Sequence, residues 1–385
     1  MSEVRWLHIS DLHFNDDDMS TTMLRDELPV FLRRKDIRCD YVFCTGDIRI
    51  WNKDFTDEAA EYLKNLCAAV GCKVSRLFIV PGNHDVDRSA AGRDEAVSRM
   101  MFQRKGYYDP ARGMIEEDDL RAIHAGQEAF RAFLSKIFDE DRMRCYENPL
   151  EPHFSVETPD FNILHVDSTL SYKGGQEAND LVIGTKALQK ALKSLNPEKP
   201  TIFLTHYSFT SLLQDEKKYV SELLYRSGVR LWLAGHEHDH NLQPLKYLYS
   251  VQAGELCYED KAHATVLLGN YNTDTRHGYI LAYTWYPEGW AEYPIIWHDH
   301  AEENQFPFEL RIPGDHGRSR ENVLIVHANQ TYASRMPEKI WDSIFPDLEL
   351  GGKPYPSGIL SLIHELWNTD TPHLILLADG GMGKS

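Results

Sequence analysis

Five short groups of oxygen and nitrogen donors punctuate the first 238 residues: Asp11-Leu-His13, Gly46-Asp47, Gly82-Asn83-His84-Asp85, a lone His206, and Gly235-His236-Glu237-His238. Each begins at or just past the end of a short apolar run, at 4–10, 41–45, 76–80, 201–205 and 230–234. These runs, with another at 161–166, are β-branched or aromatic and read as strands buried on both faces. Helical stretches at 22–35 and 57–69 lie between them. In the second, Ala59, Leu63, Leu66 and Val70 recur at helical spacing. Open α/β sheets collect ligands at the carboxyl ends of their strands. The pattern therefore demands a fold that converges donors far apart in the chain. Carboxylate, imidazole and amide are hard-to-borderline ligands, and the simplest reason to gather them is to hold two cations against a phosphate.

Past His238 the texture changes. Segments 247–253, 262–268, 278–286 and 291–298 are strand-like, with Trp285-Tyr-Pro-Glu-Gly-Trp290 as a turn between the last two. They read as the second half of a layered sheet structure. Residues 87–150 are instead mostly helical and poor in strand formers. Arg88, Arg93, Arg99, Arg104, Lys105 and Arg112 make this insert locally basic. It follows the third donor group directly, so its start lies close to the donors. It is either a solvated helical decoration or a cap that selects substrate.

From about residue 302 the strand–helix order lapses, and Pro307, Pro313-Gly314, Pro337 and Pro346 suggest a linker over 301–356. A helix at 358–367 and an apolar strand at 374–377 then precede Ala378-Asp-Gly-Gly-Met-Gly383-Lys384-Ser385. This matches a Walker A loop with alanine in place of the first glycine. Gly383, Lys384 and Ser385 are the candidate nucleotide-binding residues. The helix that would receive the phosphates does not follow them, so 357–385 is expected to be the truncated start of a P-loop NTPase domain, unable to bind nucleotide as it stands.

The formal net charge of −18 disfavours broad, non-specific binding of duplex DNA, although bound cations would reverse the local sign at a site. No apolar run is long enough to span a bilayer. The N-terminus enters a strand at once, without the basic and apolar regions of a signal peptide, which points to the cytoplasm. None of the six cysteines forms a C-x-x-C pair, and they are expected to be buried thiols in a reducing compartment.

With all five groups in order, the sequence resembles the calcineurin-like metallophosphoesterase superfamily over about residues 4–300. The resemblance implies an α/β fold, a four-layer α/β/β/α sandwich occupying 1–300, with 87–150 as a helical cap insert. It implies two divalent transition-metal ions: Asp11, His13 and His238 as ligands of the first, Asn83, His206 and His236 of the second, and Asp47 bridging both. Manganese is favoured, with iron, zinc or nickel as alternatives. If the segment is extended, alternation in His236-Glu237-His238 puts both imidazoles on one side.

His84 is the implied proton donor or transition-state stabiliser. Asp85 would orient its ring, with a helix N-cap before 86–88 as the other reading. Arg88 is the candidate substrate contact. His8 and His165 read as packed histidines, and His240 as part of a solvated loop. The implied reaction is hydrolysis of a phosphodiester, a cyclic nucleotide or nucleic acid, by a hydroxide shared between the two metals. A phosphomonoesterase or nucleotide pyrophosphatase is the alternative. A further one is an effector module, silent until a C-terminal ATPase region self-associates.

Overall fold

A computed structural model describes residues 3–14, 19–102, 114–174, 180–245, 248–257, 264–295, 304–312, 349–350 and 353–354. The expected helix at 358–367, the strand at 374–377 and the Walker A-like residues Gly383, Lys384 and Ser385 lie outside the described residues. The chain divides into two compact units, Met1–Pro313 and Gly314–Ser385. In the second, Glu349–Leu350 pairs antiparallel with Lys353–Pro354.

The strands of the first unit, in chain order, are β1 (Glu3–Ile9), β2 (Tyr41–Cys44), β3 (Leu77–Ile79), β4 (His153–Glu157), β5 (Asn162–Val166), β6 (Thr201–Leu204), β7 (Leu231–Ala234), β8 (Asn241–Leu245), β9 (Leu248–Gln252), β10 (Thr265–Asn272), β11 (His277–Tyr286), β12 (Gly289–Tyr293) and β13 (Phe306–Glu309). Its helices are α1 (Met19–Arg34), α2 (Asp57–Ala69), α3 (Arg93–Phe102), α4 (Glu117–Ala125), α5 (Glu128–Leu134), α6 (Glu140–Glu147), α7 (Thr185–Leu192) and α8 (Gln214–Arg226). One sheet runs β12-β11-β10-β1-β2-β3, with β13 also on β11; the other runs β4-β5-β6-β7-β9-β8. The strands that deliver the donors, β1 to β3 and then β6 and β7, are parallel within their sheets. Their carboxyl ends therefore open on common edges.

Side-chain alternation along β1 sets the layers. Leu7 and Ile9 pack beneath Leu24, Leu28 and Phe31 of α1 and Leu63 and Leu66 of α2. Val4 and Trp6 point the other way, into a core shared with Ile163, Ile202 and Leu231 of the second sheet. That sheet's outer face, with Leu164, Phe203 and Trp232, carries Leu188 of α7 and Val220 and Leu224 of α8. The order is helix, sheet, sheet, helix, and the inner strands β2, β5, β6 and β7 are buried along their whole length because each face meets another layer.

Trp6 shows how tightly the middle layer is fitted. It is fully buried and pairs in register with Gly269 of β10, where an added Cβ would fall 2.0 Å from the indole Cε2. Gly269→Ala is expected to destabilise the unit by about 1–3 kcal/mol, the usual cost of overpacking. A urea midpoint unchanged by the substitution would show that the indole has room to move.

The insert between β3 and β4 carries α3 to α6. Ala96, Val97 and Met100 of α3 and Ile123 of α4 share a buried cluster with Leu170 and Val182. The fully buried Arg93 donates to the carbonyls of Tyr172 (2.8 Å) and Thr169 (3.2 Å). The insert is thus packed against the loop after β5 and is more than a solvated decoration.

The expected boundary at 300 needs correction. β13 joins the first sheet beyond it, pairing antiparallel with β11, and the unit runs to Pro313. Pro307 disguised this strand as linker, but a proline is tolerated in a strand at the sheet edge, where its missing N–H costs no ladder bond. Among the described residues, no helix is long and apolar enough to cross a membrane.

Candidate metal centre

The donor-bearing loops continue the strand ladder past the sheet edge. Asp11 donates its backbone N–H to Gly46 O, His13 to Asp47 O and Phe14 to Ile48 O, at 2.8–3.0 Å. Holding side chains inward from such loops requires unusual backbone. Nine non-glycine residues among those described have positive φ, and five of them are Asp11 (50°), His13 (46°), Asp47 (52°), His236 (76°) and His238 (60°). Left-handed backbone costs roughly 1–2 kcal/mol per L-residue and persists where the surroundings over-determine it. Its concentration on the expected ligands marks the site independently of their chemistry.

The segment 236–238 is not extended, so the condition for that alternation is not met. The segment turns through left-handed conformations, and the turn, in place of strand alternation, aims the two imidazoles. Glycines next to the donors permit the close loop contacts. A Cβ on Gly82 would lie 2.1 Å from Asp47 Oδ1, and one on Gly235 would lie 1.8 Å from Ser10 Oγ.

The ligand atoms form overlapping groups. Asp11, His13 and His238 offer atoms within 4.8 Å of one another, as do Asp47, His206 and His236. Asn83 joins the second group, with its Oδ1 2.8 Å from His206 Nε2. Asp47 connects the two, since it also groups with His13 and His84. The rear nitrogens are held: His206 Nδ1 lies 2.7 Å from the Thr45 carbonyl and His238 Nδ1 2.9 Å from Glu255. Each pairing leaves Nε2 facing inward.

Two observations test whether cations fit. Asp11 Oδ1 and His13 Nε2 are buried without hydrogen-bond partners, which is costly unless something else satisfies them. The electrostatics also demand positive charge. Burial opposes protonation of His206, but the adjacent Asp47 and Asp11 carboxylates outweigh it and raise the imidazole to about 9. Asp47 is correspondingly held below the usual carboxylate range despite its burial. A divalent cation answers both demands, and the donor set of imidazole, carboxylate and amide fits transition metals better than calcium.

Residues 4–240 match the profile of the family described as calcineurin-like phosphoesterase. The chain belongs to that family. It is 27% identical over 302 residues to the uncharacterized metallophosphoesterase-like protein YydB of Bacillus subtilis, covering 74% of this chain and 60% of that protein. The chain thus spans about three fifths of the relative's length. Solved structures similar to it include GAP50 of Plasmodium (11% identity, TM-score 0.40, covering 81% of this chain and 90% of that one). Zinc-complexed Vps29 of Entamoeba histolytica is another (12% identity, TM-score 0.33, covering 75% and 97%).

Beside this calcineurin-like centre, His84 is held by Trp51. Its Nδ1 accepts the backbone N–H of Trp51 at 2.9 Å, so in the neutral ring the proton sits on Nε2, which lies 3.9 Å from Asp47 Oδ2. Asp85 does not orient this ring. Its carboxylate accepts from the backbone N–H groups of Ile48 and Gly82, both at 2.9 Å, knitting the second and third donor loops together. Burial and the Asp47 charge push it up to about 7. The N-cap reading fails too, because 86–88 is not helical.

Arg88 lies with its guanidinium carbon 3.4 Å from the Trp51 ring centroid and donates to Lys173 O. His8 pairs with Thr45 Oγ1, and His165 stacks on Phe154; both are buried packing residues. His240 is half-buried against Tyr293 and not on an open loop.

Trp51, Tyr172 and Glu255 were not found by reading the sequence. Tyr172 packs on Tyr207, which lies against His206 and His236. Glu255 is fully buried just past β9, and Cys257 Sγ also donates to it. Its sequence signal was available: Gly254-Glu255 follows a strand as Gly46-Asp47 does. Because a carboxylate behind a ligating histidine tunes its basicity and orientation, Glu255→Gln is expected to weaken metal binding at the Asp11–His13–His238 position by roughly 10–100-fold. Metal titration that shows equal affinity in the variant and the parent would remove Glu255 from the site.

Proposed function

We propose that the chain hydrolyses phosphodiesters, with a cyclic nucleotide or nucleic acid as substrate. The observation that carries this reading is Asp47 lying between two donor groups with the Nε2 of His84 beside it. Asp11, His13 and His238 would hold one divalent cation, Asn83, His206 and His236 the other, and Asp47 both. When bound, such a pair supplies an activated water and neutralises charge on the phosphate oxygens. Manganese heads the candidates, followed by iron, zinc and nickel.

The protein's own residues do the rest. The Trp51 N–H keeps the His84 proton on the inward nitrogen, from which it can pass to the departing oxygen. A poor alkoxide leaving group gains most from such a donor, which favours a diester over an activated monoester. Six free thiols fit a reducing compartment such as the cytoplasm.

The test is turnover of bis-p-nitrophenyl phosphate against p-nitrophenyl phosphate with manganese, followed by cyclic nucleotides, single- and double-stranded DNA and nucleoside triphosphates. Preference for the monoester would replace this reading with a phosphomonoesterase; preference for triphosphates would replace it with a pyrophosphatase. The Walker A-like Gly383-Lys384-Ser385 supports a second reading, an effector that is activated when an ATPase region self-associates. Equal specific activity in monomeric and assembled fractions would eliminate it.

A further inference from the structure

Beside the metal centre lies a guanidinium whose setting suits a second anion. Arg88 is the first basic residue of the insert. Its guanidinium carbon sits 3.4 Å from the centroid of Trp51 and 5.7 Å from that of Tyr172. Both rings belong to residues at the centre: Trp51 donates its N–H to His84, and Tyr172 packs on Tyr207, which lies against His206 and His236. Gly174 completes the cradle, since a Cβ there would fall 1.5 Å from Arg88 Nη1. The Nη1 group donates to Lys173 O at 3.3 Å, and among the described residues no other acceptor meets this guanidinium.

A guanidinium lying over the Trp51 ring has that face covered. It can offer its edge, and that edge matches the oxygens of a phosphate. The chain as a whole carries a net charge of −18, so the locally basic start of the insert is an exception and not part of a general polyanion-binding surface.

Building on the phosphodiesterase reading, we propose that Arg88, held over Trp51 and near Tyr172, binds a second, non-scissile phosphate of the substrate. The preferred class is then a nucleotide or oligonucleotide carrying a phosphate next to the bond that is cut. Diesters with a single phosphate are poorer substrates. Hydrolysis itself is unchanged: water adds to the scissile phosphorus, the ester oxygen leaves with a proton, and the second phosphate stays intact.

The experiment compares the p-nitrophenyl ester of thymidine 5′-phosphate with the same ester bearing an added 3′-phosphate. Both release the same leaving group. The parent protein with manganese is expected to show a KM roughly 10- to 100-fold lower for the bisphosphate, the range for one charged hydrogen-bonding contact. In Arg88→Gln, which keeps a planar group but no charge, the ratio of the two KM values should fall to near one, whatever happens to the common turnover. Arg88→Lys should recover part of it. A parent that turns over both esters without discrimination overturns the subsite, as does an Arg88→Gln protein that still discriminates. A parent that hydrolyses neither ester overturns the hydrolase reading beneath it, so the two failures are distinguishable.

Discussion

Asp47→Asn is expected to abolish turnover and to weaken divalent-metal binding at both positions. Asp47 is almost fully buried; its Oδ1 accepts the His84 backbone N–H at 2.7 Å and its Oδ2 lies 3.4 Å from His206 and 3.9 Å from His84. Asparagine has nearly the same shape, so the loop should survive. What it lacks is the charge that makes two cations about 3.5–4 Å apart tolerable. Losing charge stabilisation of about 4 kcal/mol or more corresponds to a rate loss on the order of 10³-fold or greater. Elemental analysis alongside turnover checks it: near-parental activity with two bound metals would overturn the bridging assignment.

His84→Ala should behave differently. It is expected to retain both metals while slowing the chemical step by roughly 10²–10⁴-fold, the range for a lost general acid. The loss should depend on the leaving group. An alkoxide needs the proton and should suffer most; p-nitrophenolate, a good leaving group, should suffer least. The comparison is informative because the His84 ring also lies within reach of Asp47 and His13. Metal loss in the variant would make His84 a ligand, and an equal slowing for both leaving groups would make it a transition-state stabiliser in place of a proton donor.

The layered α/β architecture was legible because burial on both faces leaves a local trace. β2 and β7 are continuous apolar runs, β6 is one after Thr201, and the helical spacing of Ala59, Leu63 and Leu66 announces α2. β13 was hidden, since two prolines and a short alternation read as linker until β11 supplies an edge to pair with. The grouping of His238 with Asp11 and His13, and of His236 with Asp47 and His206, followed from the resemblance. The route did not: left-handed backbone at both histidines goes with contacts from other loops, the His236 N–H donating to Asp11 Oδ2 and the Glu255 N–H to the His238 carbonyl. Asp85 illustrates the same limit. Its neighbour in sequence is His84, but its hydrogen bonds go to Ile48 and Gly82.

The sequence by itself therefore determined the donors, their order and the strands that carry them, because ligand chemistry and burial periodicity are properties of short segments. The tertiary structure alone decided which partner orients each donor. Glu255 reaches His238, Thr45 reaches His206 and Trp51 reaches His84. Hydrogen-bond partners and backbone strain at a site where several loops meet depend on contacts between segments distant in the chain, and no local pattern of residues encodes them.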